Sequence, residues 1–550
     1  MATAPPEWDR NIRYSLRELE QWAKDGHRKP LEDLFRAFRG IQELHVGDPN
    51  SFWVIAGYHG IPLAPFDPDQ SSLAPPFAWW GGYCHHGNCL FPTWHRAYVQ
   101  HLENALRTQV PDVSLAYWDE GSQASLKGGL PACLTDEFVE LDGNTKVKNP
   151  LRRFTFPVDI GSSAQYQTPD GSPVADFSKR AKTHTVRCPL SAFHASMVRD
   201  VADKGQEHNA KMQELYPRHE DQVGALNHNV KVALVGDAQG GETYARLKRS
   251  LQAPTYNKFS NNNSTGKWYT SLEQPHDELH LAVGGQRMGS HGDMGENETA
   301  SFDPVFFFHH ANIDRMFWIW QKKWGKTASG SLEINPADME GTYGQSPKGQ
   351  GGTRTVPGTT KLTMDTPLHP FRLASSGEFM TSRDVVDLKN QLGMDYSAGS
   401  FAEDASKADK EDGPEIIISI MNINKANFLG SFRVNVSHKD PESGEFRPVS
   451  SVGVLSRWNL KRCKNCQIHL ARDVHVDLTS LKRKCAEAEQ DVSKLTYRVE
   501  FVDRSCSTKG SVAARATFAE GNWTIDIGRE KIGSVHIELD EKDQSEEGSG

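Results

Sequence analysis

Cysteine is scarce in this chain: eight in 550 residues, at positions 84, 89, 133, 188, 463, 466, 485 and 506. Eight thiols scattered over that length do not make a disulfide framework. Long apolar runs are missing too, and none approaches the ~20 residues of a membrane-spanning helix. The segment Met1–Trp8 has no basic stretch leading into an apolar one, so the expectation is a soluble, cytoplasmic chain. Basic runs are also absent. With a net charge of −9, the chain carries no electrostatic footprint for nucleic acid, and polyanion binding is excluded as a reading.

The length calls for two or more domains. From about residue 30 to about residue 330 the apolar pattern is helical in places, as in Tyr98, Leu102 and Leu106 or Ile313, Phe317 and Trp320. Between them the sequence reads as irregular and turn-rich, with the polar tract Ser260-Asn261-Asn262-Asn263-Ser264. The Gly/Thr/Ser/Pro-rich stretch from Gly341 to Thr360 reads as a surface loop. Small and charged residues mix from Ser397 to Pro414, which predicts a flexible, protease-accessible linker. Beyond it the period changes to two, in Phe432-Val434-Val436, Leu495-Tyr497-Val499-Phe501 and Val535-Ile537-Leu539. That alternation predicts an antiparallel β domain, sandwich-like, before an acidic Gly/Ser ending expected to be disordered.

Histidine is what the chain does have. One cluster runs His59, Cys84-His85-His86 and Trp94-His95-Arg96; a second runs His276-Asp277-Glu278-Leu279-His280 and Phe308-His309-His310. His276 and His280 are one helical turn apart and share a face. His309 and His310 lie in the strongly apolar segment Val305–Trp320, where an imidazole is costly unless bonded or coordinated. Each cluster can supply three imidazoles to one ion, and an imidazole set without thiolate or carboxylate suits copper, iron or zinc.

Several segments resemble the signatures of tyrosinases and related polyphenol oxidases. They are Ala56-Gly57-Tyr58-His59-Gly60, Gly81-Gly82-Tyr83-Cys84-His85-His86, Leu90-Phe91-Pro92-Thr93-Trp94-His95-Arg96, Phe302-Asp303-Pro304 and His309-His310-Ala311-Asn312-Ile313-Asp314-Arg315. The resemblance extends to Asn149-Pro150-Leu151 and Thr366-Pro367-Leu368, and more weakly past the linker to Cys463–Cys466. It is closest to the long fungal-type enzymes.

The resemblance implies a mainly α catalytic domain built on a four-helix bundle that holds two copper ions. One ion falls to His59, His86 and His95 and the other to His276, His280 and His310. It implies a thioether between Cys84 and His86, and leaves His85 and His309 outside the ligand set. Asp314 and Asn312 become candidates for holding the ligand rings, and Phe306 for orienting a phenol ring over the metal. Glu273 matches a glutamate that holds a water near the phenol. Its partner in the family is commonly an asparagine, here Asp277, which when ionised accepts but cannot donate. The implied domains are 1–396 for catalysis, ending at Tyr396; 397–413 as linker; 414–540 as a β lid; and 541–550 as tail.

The implied reaction is the dioxygen-dependent oxidation of o-diphenols to o-quinones, with ortho-hydroxylation of monophenols as a second activity. Two other classes share the histidines: a zinc-loaded relative with a non-oxidative step in secondary metabolism, and an oxygen carrier of the haemocyanin kind. A phenolic substrate and O2 are the expected partners, with a copper chaperone and a second copy of the chain left open.

Overall fold

The computed structural model describes residues 8–60, 82–158 apart from 144, 181–187, 214–236, 242–285, 292–335, 341–345, 359–405, 414–457 apart from 429, 466, 468–503, 512–519 and 522–542. Helices dominate the first part, and four of them carry or adjoin the histidines. Helix α1 (Phe52–Gly57) starts where the Ser51 hydroxyl accepts the Val54 amide, and ends just before His59. Helix α2 (Phe91–Gln109) opens with Pro92 in its first turn, where the missing N–H costs nothing. Helix α3 (Glu273–Gly284) is buried along its whole length, and α4 (Val305–Lys323) is buried from Val305 to Gln321. Both helices are thus enclosed on every side, and one continuous core surrounds them. Among the described residues, the stretch expected to be irregular contains the helices Gln123–Gly128, His219–Val235, Thr243–Ser250 and Tyr256–Ser260. Charged residues alternate with apolar ones there and blur the period. In the expected loop from Gly341 to Thr360, Tyr343–Gln345 pairs antiparallel with Thr359–Lys361, and residues 346–358 lie outside the described residues. No helix among the described residues is long and apolar enough to cross a membrane.

Two short strands tie the ends of the helical part together: β1 (Ile12–Arg13) pairs in parallel with β2 (Asp395–Tyr396). The residues after β2 follow antiparallel order: β3 (Ile416–Asn424), β4 (Phe432–Lys439), β5 (Phe446–Val454), β6 (Ala471–Asp477), β7 (Tyr497–Asp503), β8 (Ala514–Ala519), β9 (Asn522–Ile527) and β10 (His536–Glu541). They form a five-stranded sheet, β5-β4-β7-β8-β9, and a three-stranded sheet, β6-β3-β10, which share a second core. The alternation of Phe432, Val434 and Val436 places these three in that core, as the period predicted. The last strand reaches Glu541, and residues 543–550 lie outside the described residues.

The linker expected from residue 397 is a correction in its first part. The carbonyls of Ser397, Ala398 and Ser400 accept from Arg315, the Ser400 amide donates to Asp119 at 2.8 Å, and Phe401 packs on Tyr244. Composition suggested mobility, but backbone carbonyls bind a guanidinium whatever side chains they carry. Residues 406–413 of that stretch lie outside the described residues.

Beneath β1 and β2 lies a buried ionic network. Asp314 accepts from Arg96 at 2.5 Å, from Arg13 at 3.1 Å and from the Tyr396 hydroxyl at 2.7 Å, while Arg13 also grips Glu103 at 2.8 Å. These side chains are almost wholly out of water. Removing one member of such a network leaves uncompensated buried charge, at a cost of about 3–5 kcal/mol. Asp314→Ala is therefore expected to lower the urea midpoint by an amount corresponding to that loss; an unchanged midpoint would refute the role given to Asp314.

Candidate metal centre

The expected ligands arrive from four places. His59 sits two residues beyond α1, and His85 and His86 lie on the extended segment before α2. The latter approach is close: Gly82, at φ 68°, lies where a Cβ would stand 2.5 Å from the His59 carbonyl carbon. A side chain at 82 would push the Cys84–His86 segment away from His59. His95 projects from the first turns of α2, His276 and His280 from one face of α3, and His310 from α4.

These rings converge. Nε2 of His310 stands 3.2 Å from Nε2 of His276 and 3.3 Å from Nε2 of His280. His310 also belongs to a second group with His59 and His95, whose ligand atoms lie within 4.8 Å of one another, and its ring stacks on His95 at 4.5 Å. A third group on the same scale joins His59, Cys84 and His86. The two sequence clusters are thus one site with two lobes.

The tautomers follow from the other ring nitrogens. His280 Nδ1 faces the Met294 carbonyl at 2.7 Å and His95 Nδ1 faces the Phe91 carbonyl at 2.8 Å. A carbonyl only accepts, so each Nδ1 bears the proton and each Nε2 turns a lone pair inward. His276 Nδ1 is likewise held by Asp277 Oδ1 at 3.0 Å. The single Nε2 of His310 can donate to one of its two neighbours, while His95 Nε2 has no hydrogen-bond partner at all. Inward-facing lone pairs, out of water and unsatisfied, are the condition a metal cation relieves.

Burial keeps these rings neutral and ready to ligate. It pushes His95 and His309 down to about 3 and lowers His59, His86, His276, His280 and His310 well below the usual imidazole range, with neighbouring imidazoles adding to the effect for all of these but His309. Cys89 is an inert buried thiol, pushed up to about 12 by burial.

Two expectations about the surroundings are corrected. Neither Asp314 nor Asn312 holds a ligand ring. Asp314 is taken by Arg13, Arg96 and Tyr396, and Asn312 donates to Glu120 at 2.9 Å. On a helix Asn312, two residues beyond His310, leaves its face, while Asp314, four residues beyond, shares it but is claimed first by Arg13 and Arg96. His309, set outside the ligand set, lies closer to the centre than expected: its ligand atom is within 4.8 Å of those of His276, His280 and His310. Its Nδ1 is held by the buried Glu120 at 2.5 Å. His85 meets the Asn88 side chain at 3.2 Å, as a buried histidine outside a site would.

The remaining expected residues do come together. Phe306 stacks on His310 at 4.0 Å and stands edge-on to His59 at 4.7 Å. Glu273 opens α3, and its carboxylate accepts the Gly87 amide at 2.7 Å and the Asn262 amide at 2.9 Å. Burial raises Glu273, and burial with the Glu273 charge raises Asp277; Arg472 and Lys425 of the β part pull both back. Sequence reading missed three residues at this centre: Asn262, Glu120 and Arg457. Arg457 reaches from the β part to the Cys84 sulfur at 3.2 Å and the His59 carbonyl at 3.4 Å. The only signal for Asn262 was its polar tract, which reads as a loop. Cys463 lies outside the described residues, while Cys466 is disulfide-bonded and in that state offers no thiolate to a metal.

The sequence matches the common central domain of tyrosinase over residues 49–323. It is 39% identical to a tyrosinase of Hahella sp. (strain CCB-MM4), across 86% of this chain and 89% of that one. It is 36% identical to a tyrosinase of Aspergillus oryzae (strain ATCC 42149 / RIB 40), across 87% and 91%. A solved tyrosinase from Burkholderia thailandensis aligns with a TM-score of 0.73 at 38% identity, covering 90% of this chain and 95% of that one. A domain match spanning half of the chain, and relatives that run nearly its full length, lead to one conclusion: the chain belongs to the tyrosinase family.

Proposed function

We propose that His59, His86 and His95 hold one copper ion and that His276, His280 and His310 hold the other, in a chain that as a tyrosinase-family member is a copper-dependent phenol oxidase. The observation that supports this assignment is the set of inward lone pairs on His95, His276 and His280, converging on the ring of His310. Bound copper supplies the redox chemistry with dioxygen. In this reading α2, α3, α4 and the helix Lys29–Glu43, whose Phe38 stacks on Phe308 at 5.2 Å, make up the four-helix bundle around the centre. Cys84 is assigned the thioether to His86, and His309 remains a neighbour anchored by Glu120. Zinc with non-oxidative chemistry and oxygen carriage are not favoured by tyrosinase relatives that span nearly the whole chain.

The protein groups have separate tasks. Phe306 offers a ring edge and face for a phenol. Glu273, dry and held by two amides, is placed to take a proton from a phenol or a water beside it. Asp277 accepts at both oxygens, from His276 and from Asn262, so it has no donor left to orient such a water. Oxidation of o-diphenols to o-quinones is therefore the assigned reaction, with monophenol hydroxylation slower.

The β part, 414–540, is assigned the role of a lid. Arg246 of the helical part bonds Ser450 at 2.7 Å, Arg249 pairs with Asp477 at 2.6 Å, and Arg457 enters beside Cys84. Gly453 of β5 lies against α3 so closely that a Cβ would stand 2.7 Å from Leu281.

Three outcomes are expected. Adding copper or zinc ions to metal-free protein should raise the thermal midpoint with two equivalents bound, each ion stabilising by about 4 kcal/mol at roughly a thousandfold excess over its Kd; a midpoint indifferent to both metals would sink the ligand assignment. Copper-loaded protein should turn over catechol faster than a tyrosine-like monophenol, and monophenol turnover that is equal and lag-free would contradict the role given to Asp277. Clean proteolysis between residues 406 and 413 should raise catechol oxidation, and unchanged activity after separation of the β part would argue against a lid.

A further inference from the structure

We propose that Asn262 is a positioning residue for the His276 lobe: from a turn outside α3 it holds both carboxylates of that helix at once. This rests on the metal-binding reading above. Asn262 is 7% exposed, and four of its polar groups are engaged. Its amide donates to Glu273 Oε2 at 2.9 Å, and its side-chain nitrogen donates to Asp277 Oδ2 at 3.1 Å. Its side-chain oxygen accepts the Ser271 hydroxyl at 2.7 Å, and its carbonyl accepts Arg472 of the β part at 3.2 Å. Asn261 shapes the turn, its side-chain oxygen accepting the amides of Asn263 and Ser264, both at 3.0 Å.

The Asn262 side-chain nitrogen faces Asp277, and its oxygen faces the Ser271 hydroxyl. The result is a chain of bonds from Ser271 through Asn262 and Asp277 to His276 Nδ1, which ends at the ring whose Nε2 faces the metal position. Glu273 and Asp277 are one helical turn apart on a buried helix, where like charges repel strongly. Asn262 is the residue that donates to both, and so keeps their separation. Residue 277, acidic here, cannot supply that donor. The donor arrives instead from a turn ten residues and more away in sequence.

Loss of an outer hydrogen-bond partner typically weakens a metal site by about 10–100-fold, and Asn262 acts one bond further out. The test is a competitive zinc titration of metal-free full-length protein. Asn262→Ala should weaken one of the two bound ions by about tenfold, at the low end of that range, and leave the other within about twofold. In an Asp277→Ala background the same change should have almost no further effect, because residues that act through one another are non-additive. Parent-like affinities for both ions in a folded Asn262→Ala protein would overturn the proposal, as would an undiminished effect in the Asp277→Ala background. Should Asn262→Ala fail to fold, Ser271→Ala decides the matter. A smaller loss confined to the same ion supports the proposal, and no loss overturns it. A parent protein that takes up no pair of ions would mean that the metal reading, not the role of Asn262, has failed.

Discussion

Unsatisfied imidazole lone pairs, packed against one another out of water, are the constraint around which the rest of this structure is arranged. A buried ring nitrogen is costly when it lacks a partner, and several of them facing one another are costlier still. The fold meets part of that cost by giving outer ring nitrogens fixed acceptors: a carbonyl of the same helix for His95, a loop carbonyl for His280, a neighbouring carboxylate for His276. The inner nitrogens are left to a cation. Ring orientation is thereby set before any metal binds, which is what a reaction dependent on two ions at a defined separation requires.

Rigid support for that arrangement comes from charge rather than from apolar packing alone. The network of Arg13, Arg96, Glu103, Asp314 and Tyr396 joins the beginning and end of the helical part to α2 and α4. Replacing such a network with apolar side chains is often neutral in stability, but the network also specifies register. Arg96 follows His95 directly, and Asp314 lies four residues beyond His310. Their ion pair therefore sets how the two ligand-bearing helices slide past each other.

The β part contributes charge of the opposite sign. Arg472 and Lys425 stand near Glu273 and Asp277, and Arg457 stands beside Cys84. Three cations from one domain thus meet the polar surroundings of both lobes, so the domain alters the electrostatics of the centre. The Asn262 turn lies between them, bonded on one side to the carboxylates and on the other to Arg472.

The candidate ligands were legible in the sequence because their information is local. The HxxxH spacing of His276 and His280 places two rings on one helix face by geometry alone. The His95 and His310 segments carry helical patterns, and the change to period two beyond residue 414 announces the β part. What was not legible depends on residues distant in sequence. Asp314 looked like a support for His310 until Arg13, 301 residues earlier, claimed it. Residues 397–401 read as linker because composition does not show that Arg315 binds their carbonyls. His309 and His310 are equivalent as letters, and only the packing of α4 against Glu120 on one side and α3 on the other gives them different partners. Sequence by itself determined which residue types and helix faces were available for a metal. The tertiary structure decided which of their nitrogens face inward, because that depends on acceptors that come together only when the chain has folded.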